Sequence, residues 1–207
     1  MTEVEKQNEE VQNKELTSIL VDPEHFNVKH KLNTSWTIYY DIPQQRKNTA
    51  QTWQQNIKVI ATFNTIEDFW GVFNSIPPVS KIAPSSSYFL FREGIKPEWE
   101  DKQNEEGGRW AVTLTTRMNT KIDEYWMNLV LACIGESFEY PEQVNGAVAS
   151  VRTRGDRLAL WTRNWKNEEE TLNIGKHFKS LIGQEKLSFN SHEDGKQSSK
   201  AKERHVL

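Results

Sequence analysis

The chain has 207 residues, 36% hydrophobic and 27% charged, with a net charge of -3. That is enough for one domain with a packed core, and too little positive charge for a general nucleic-acid coat. Its single cysteine, Cys133, excludes a disulfide framework and a zinc site built on several thiolates. The polar opening MTEVEKQNEE and the lack of any run near the roughly 18 apolar residues of a membrane span predict a soluble, intracellular protein.

Residues 1–27 are rich in Glu, Gln and Asn, with seven acids against two lysines in the first 25. So little apolar surface cannot offset ordering entropy, so a disordered acidic tail is expected there. The main domain is expected over 28–190. Its first strand alternates Trp36, Ile38 and Tyr40 on one side. A polar loop then leads to Trp53, and Ile57 to Ile60 reads as the next strand. Thr65 and Asp68 resemble a capping box, after which Ile66, Phe69, Phe73 and Ile76 keep helical spacing up to Pro77-Pro78.

Tyr88 to Phe91 is a further strand, and Gly107-Gly108 opens another from Arg109 to Leu114. Between them Trp99 stands in a charged loop. Asp123 to about Ser137 sets Trp126, Leu129, Val130 and Cys133 on one helical stripe. Val148 to Trp161 supplies two strands around Gly155-Asp156. A third helix runs from about Glu168 to Ile182, with Ile174, Phe178 and Leu181 inward and Gly183 as its stop. Residues 191–207 show no periodic apolar face and are expected to be a flexible tail. Hairpin strands with helices on one face make an α+β domain.

A two-residue Gly155-Asp156 loop sets a register in which Arg152, Arg154 and Arg157 share a face with Ala159 and Trp161. Val151, Thr153, Leu158 and Leu160 take the other face. A solvated, arginine-decorated hairpin is the plain reading. Three converging guanidinium groups repel one another unless an anion fills the space, however, and their planar forks suit phosphate oxygens. Trp53 and Trp99 lie in polar surroundings that offer no core stripe; with Trp161 they fit an aromatic platform for a base. Stacking contributes roughly 1–3 kcal/mol per base, and a cationic ring gains further from the indole face. Glu100 can accept two N–H bonds from the Watson–Crick edge of guanine, which adenine does not present. The integrin-type tripeptide Arg154-Gly155-Asp156 and the glycosylation match Asn33-Thr34-Ser35 read as chance.

Several stretches together resemble the eukaryotic translation initiation factor 4E family over about Val28 to Phe189. They are Thr52-Trp53-Gln54, Thr65 through Trp70, Gly94 through Asp101, Gly107 through Trp110, Ile134 through Ser137 and Arg152 through Trp161. The resemblance implies a curved antiparallel sheet with three long helices on its convex face and the mRNA cap on the concave front, without catalysis, cofactor or metal. It implies that Trp53 and Trp99 sandwich 7-methylguanosine, that Glu100 takes the guanine N1 and N2 hydrogens, and that Trp161 touches the N7-methyl group. Arg152, Arg154 and Arg157 match positions that hold the phosphate bridge.

The first helix carries Trp70 beyond its inward stripe. The resemblance implies that Trp70, with Ile66, Leu131 and His30, receives a Tyr-x-x-x-x-Leu helix from the initiation scaffold factor 4G and from 4E-binding repressors. The implied role is recruitment of capped mRNA to the ribosome in the cytoplasm, with a nuclear pool possible; the alternative is a cap-binding translational repressor. Four positions depart from the family pattern: Lys31 and Asn128 where proline and an acid are usual, Tyr39 in place of a tryptophan, and an extra Trp165. A hydrolase is set aside, since neither a Gly-x-x-x-x-Gly-Lys loop nor a Nudix-like Glu-rich helix occurs. A single-strand RNA module would need a longer basic track.

Overall fold

The computed structural model describes residues 16–41, 56–114, 121–183, 186–197 and 203–207. The described strands are β1 (Lys31–Asp41), β2 (Ile57–Thr65), β3 (Ser87–Arg92), β4 (Gly108–Leu114), β5 (Val144–Ser150), β6 (Asp156–Thr162), β7 (Ser188–Ser191) and β8 (His205–Val206). They form one curved sheet in the order β2-β1-β3-β5-β6-β4-β7-β8, antiparallel at every pairing.

Alternation along the strands sends Trp36, Ile38, Leu90, Trp110, Leu158 and Leu160 to one side, where all are buried in the main core. Tyr39, Phe89, Phe91, Val148 and Trp161 go to the other side, in a separate small cluster. The helices α1 (Ile66–Ser75), α2 (Lys121–Ile134) and α3 (Glu168–Ile182) bury their apolar stripes against the first side.

Each helix carries the local signals that define it. Thr65 accepts from the Asp68 amide at 3.2 Å to cap α1. Asn167 caps α3 by accepting from Glu170, and Gly183 ends that helix at φ 58°, a left-handed turn that glycine takes without steric cost. Trp110 donates its indole N–H to Thr171 O at 2.9 Å, and a β-carbon on Gly175 would lie 2.4 Å from the Trp110 ring. α3 therefore rests directly on β4. Asn128 donates to Leu181 O at 3.2 Å, so this departure from the family pattern joins α2 to α3. Cys133 is buried in α2, where desolvation pushes its thiol up to about 12.

Three expectations are corrected. The segment 191–207 is not wholly a flexible tail: it supplies α4 (His192–Gln197) and strand β8, and Leu187 and Leu207 exchange both backbone hydrogen bonds. These elements are too short for a periodic signal and take their order from partners elsewhere; Arg204, for instance, pairs with Asp194 and lies 3.6 Å over the ring of the extra Trp165. Residues 16–28, placed mostly within a disordered tail, form a hydrogen-bonded turn closed by a Ser18–Val28 bridge and by the Thr17 amide donating to Asn27 Oδ1. Residues 1–15 lie outside the described part.

The third correction concerns the arginine hairpin. β5 ends at Ser150 and β6 begins at Asp156, so the turn spans 151–155 instead of two residues, and Arg157 pairs with Ser150, not with Arg154. Asp156 accepts from the Arg152 amide at 3.2 Å, and Gly155 takes a positive φ of 132°. The side-chain hydrogen bond widens the turn that sequence alone reads as Gly-Asp.

Candidate ligand cleft

The side of the sheet away from the helices forms the floor of an open cleft of about 940 Å³. Strand register arranges this floor in ranks that cross the sheet. One rank runs Tyr39, Phe89, Val148, Ala159, Ala111 and is apolar. The rank two residues along runs Asp41, Ser87, Ser150, Arg157, Thr113 and is polar. On the other flank lie Phe91, Gly146, Trp161 and Arg109, with Trp161 edge-on to Phe91 at 5.4 Å. A β-carbon on Gly146 would come within 2.6 Å of the Phe91 ring, so glycine is what lets that ring lie flat on the sheet.

The loop between β3 and β4 raises Pro97, Trp99 and Glu100 at the rim. Trp99 is 39% exposed, unusual for an indole, and its ring is flanked by Gly195 of α4, where a β-carbon would touch Cζ3 at 3.6 Å. Glu100 beside it is open to solvent. Trp53, expected to face Trp99, lies outside the described residues.

Three guanidinium groups line the cleft: Arg152 and Arg157, as expected, and Arg109 in place of Arg154. Arg154 sits exposed in the 151–155 turn and does not line it. Arg109 was readable in principle, since the strand period that buries Trp110 and Val112 turns Arg109 and Ala111 the opposite way. Nothing in the sequence marked that side as a cleft. Asp41, Lys186, Asn190 and Glu203 also line it, brought there by pairings over long sequence separations.

The arginines differ in how they are held. Arg152 donates to Ser86 O and Val151 O, both at 2.8 Å, and to Ser87 Oγ at 2.9 Å, and Ser87 Oγ lies 2.9 Å from Ser150 Oγ. Its fork is thus fixed to the polar rank. Desolvation, then the Arg157 charge, draws Arg109 below the ordinary guanidinium range. Desolvation does the same to Arg152, with Asp41 opposing it. Asp41 is shifted the other way: burial raises its carboxyl, and Arg152 opposes the rise. Concentrated positive charge in a partly desolvated groove favours an anion, and the aromatic rim beside it favours a flat ring.

The four residues expected on the helical side are placed as follows. Ile66 and Leu131 are exposed apolar side chains on α1 and α2, at 43% and 36%. Trp70 is half-buried, tilted against Phe69 at 4.9 Å and edge-on to Phe73 at 5.9 Å. His30 joins the strand entry to α1: its Nδ1 lies 2.6 Å from Glu67 Oε1, and its amide donates to Glu67 Oε2 at 2.8 Å. The His30 bond, foremost, holds the Glu67 carboxyl below the usual range. Among the described residues no helix is long and apolar enough to cross a membrane, and no group of three or more His, Cys, Asp or Glu could hold a metal ion.

A family model described as eukaryotic initiation factor 4E matches residues 31–206. The chain is 38% identical over 195 residues to the eukaryotic translation initiation factor 4E of Bos taurus, covering 91% of this chain and 88% of that one. It is 38% identical over 176 residues to that of Candida albicans, covering 82% and 83%. Among solved structures it is similar to Ascaris suum eIF4E-3 with an m2,2,7G cap, at a TM-score of 0.80 and 37% identity over 87% of this chain and 99% of that one. It is also similar to C. elegans eIF4E-3 in complex with the 4E-binding protein Mextli and a cap analog, at 0.78 and 36% over 87% and 100%.

Proposed function

The chain belongs to the eukaryotic initiation factor 4E family, and from that membership we propose that its cleft holds the 7-methylguanosine cap of mRNA while its helical side binds a translation partner. The observation that carries this reading is the order of chemistry across the cleft: an exposed indole and a carboxylate on the rim, a second indole on the floor, then guanidinium groups. The 7-methylguanosine triphosphate end of a cap presents the same order, a cationic ring, two N–H donors and a phosphate chain.

Trp99 supplies a π-face to the cationic ring, and Trp53, outside the described residues, would supply the opposite face. Glu100 accepts the N1 and N2 hydrogens in charge-assisted bonds, while Trp161 lies against the methyl group. Arg157, with Arg152 and Arg109, faces the phosphates. Arg154, from its exposed turn, contributes long-range attraction only. The action is binding without catalysis. It places the protein in translation initiation in the cytoplasm, where capped mRNA meets the ribosome.

The helical side takes a Tyr-x-x-x-x-Leu helix, from scaffold 4G or a 4E-binding repressor, on Ile66, Trp70, Leu131 and the His30 turn. The Schistosome neighbour was solved with 4E-BP and the C. elegans neighbour with the 4E-binding protein Mextli.

The test is quenching of intrinsic tryptophan fluorescence by 7-methyl-GTP and by GTP, on the native chain and on Trp99→Ala and Glu100→Ala. Strong quenching by the methylated nucleotide alone, lost in both variants, is the expected result. Equal responses to the two nucleotides would overturn the cap assignment.

A further inference from the structure

Behind the rim that carries Trp99 and Glu100 lies a buried polar network whose members do not line the cleft. Asn104 and Asn145 are fully buried, and His192 is 5% exposed. Asn104 donates through Nδ2 to Lys96 O and Glu98 O, both at 2.8 Å, and so grips the backbone immediately before Trp99. Its Oδ1 accepts from Asn145 Nδ2 at 3.0 Å, and the same Nδ2 donates to Gln103 O at 2.6 Å, tying the loop to the start of β5. The Asn104 carbonyl accepts from His192 Nδ1 at 2.7 Å, while the His192 amide donates to Gly107 O. The His192 ring lies 4.3 Å from Trp161, on the floor of the cleft.

These bonds bridge three separate parts of the chain. Within the loop, Asp101 Oδ2 accepts from the Lys96 amide at 3.0 Å and Asp101 Oδ1 from Gln103, and at its end Glu106 is tied to the Trp165 amide and to Lys166. Without the Asn104 amide the 96–106 loop would keep its local turns, the Asn145 bond to Gln103 O and the backbone bonds to His192, but lose the grip on Lys96 O and Glu98 O that links the backbone before Trp99 to Asn145. Buried amides fixed by several good bonds specify one arrangement, because displacement leaves desolvated donors unpaired.

We infer that Asn104, with Asn145 and His192, is a positioning residue for the cap site: it sets the height and tilt of Trp99 and Glu100 over Trp161 without touching the ligand. This rests on the cap-binding reading. The consequence is that guanine recognition depends on residues beyond the rings and charges of the cleft. A sandwich tolerates small sliding of a flat ring, whereas a two-bond carboxylate contact does not. Loss of the network should therefore harm the Glu100 contact before the stacking.

The experiment compares the native chain with Asn104→Asp, Asn145→Ala and His192→Gln by two readouts. The first is the ratio of affinities for 7-methyl-GTP and 7-methyl-ITP, which differ by the guanine 2-amino group. The native ratio should be about 10 or more, falling toward 1 in Asn104→Asp and Asn145→Ala, with His192→Gln intermediate because glutamine can still donate to the carbonyl. The second, independent of ligand, is amide hydrogen exchange in the free protein. Exchange across 98–107 should speed up at least tenfold in Asn104→Asp, with β6 and α3 unchanged.

A variant that exchanges faster everywhere and weakens both nucleotides equally would reduce the network to general stability and overturn the inference. Unchanged loop exchange in Asn104→Asp would overturn it as well. If the native chain fails to prefer methylated guanine, the cap reading falls, and with it the role of the network in recognition, while the exchange arm still decides whether Asn104 pins the loop.

Discussion

On the helix side of the sheet, Trp36, Leu90, Trp110, Leu158 and Leu160 are completely buried and join one large core. On the cleft side, Phe89, Phe91, Val148 and Trp161, which alternate with core residues along β3, β5 and β6, close a small cluster with Ile95 of the following loop. That side also carries polar and charged residues, among them Asp41, Ser87, Ser150, Arg157 and Arg109. Each strand thus supplies stability from one set of alternate residues and recognition from the other. Mutational effects should separate along the same division.

The largest expected effect is on stability. Trp110→Ala removes a buried indole together with its bond to Thr171, and should cost about 3–5 kcal/mol in urea unfolding, with ligand affinity of the folded fraction unchanged. Arg157→Ala, on the neighbouring strand β6 and the other side of the sheet, should leave the unfolding free energy within about 0.5 kcal/mol of native. It should weaken 7-methyl-GTP about 10- to 100-fold, the range of one or two charge-assisted bonds, as read by fluorescence titration. A cleft variant that unfolds the protein would break the comparison.

The helical side also carries a surface for recognition, which sharpens the division. Trp70→Ala should reduce binding of a Tyr-x-x-x-x-Leu peptide at least tenfold by calorimetry while 7-methyl-GTP affinity stays native. Because Trp70 is half-buried against Phe69 and Phe73, a moderate loss of stability should accompany it.

Smaller effects test the electrostatics. Asp41 stands in the cleft with its carboxyl raised by burial, so its ionised form is disfavoured on folding and its penalty is relieved as pH falls through the folded value. Asp41→Asn should tighten 7-methyl-GTP severalfold at pH 7, and that gain should shrink as the native carboxyl becomes protonated. Glu67 is the opposite case. Its carboxyl is lowered chiefly by the His30 bond, so its contribution is present above the ordinary carboxylate pKa and is lost as pH falls through the folded value. Glu67→Gln should flatten the acid limb of the melting-temperature profile, a change of a few degrees at most.

Legibility in the sequence followed the range of the interaction. The start of α1 and the end of α3 were readable because Thr65 and Gly183 act within four residues of themselves. The facing of Arg157, Ala159 and Trp161 was readable from a period of two. The 151–155 turn was not, because the choice between a two-residue and a five-residue loop depends on Asp156 capturing the Arg152 amide. β8 was not, because two residues carry no period and its order comes from Phe189 and Leu187, far along the chain. Arg109 shows the limit most clearly: its direction could be read, but its membership of the cleft depends on β4 lying beside β6, a pairing that no local pattern announces.

The buried thiol of Cys133 has a practical consequence. With its proton held up to about 12 and 1% of its surface exposed, it is inert to alkylating reagents in the closed protein and becomes reactive only when α2 lifts from the sheet. As the only cysteine of the chain, it is a built-in clock: the rate at which a thiol reagent labels the native protein reports how often the helical layer opens. Comparing that rate with and without a cap analog would measure whether occupying one side of the sheet steadies the other.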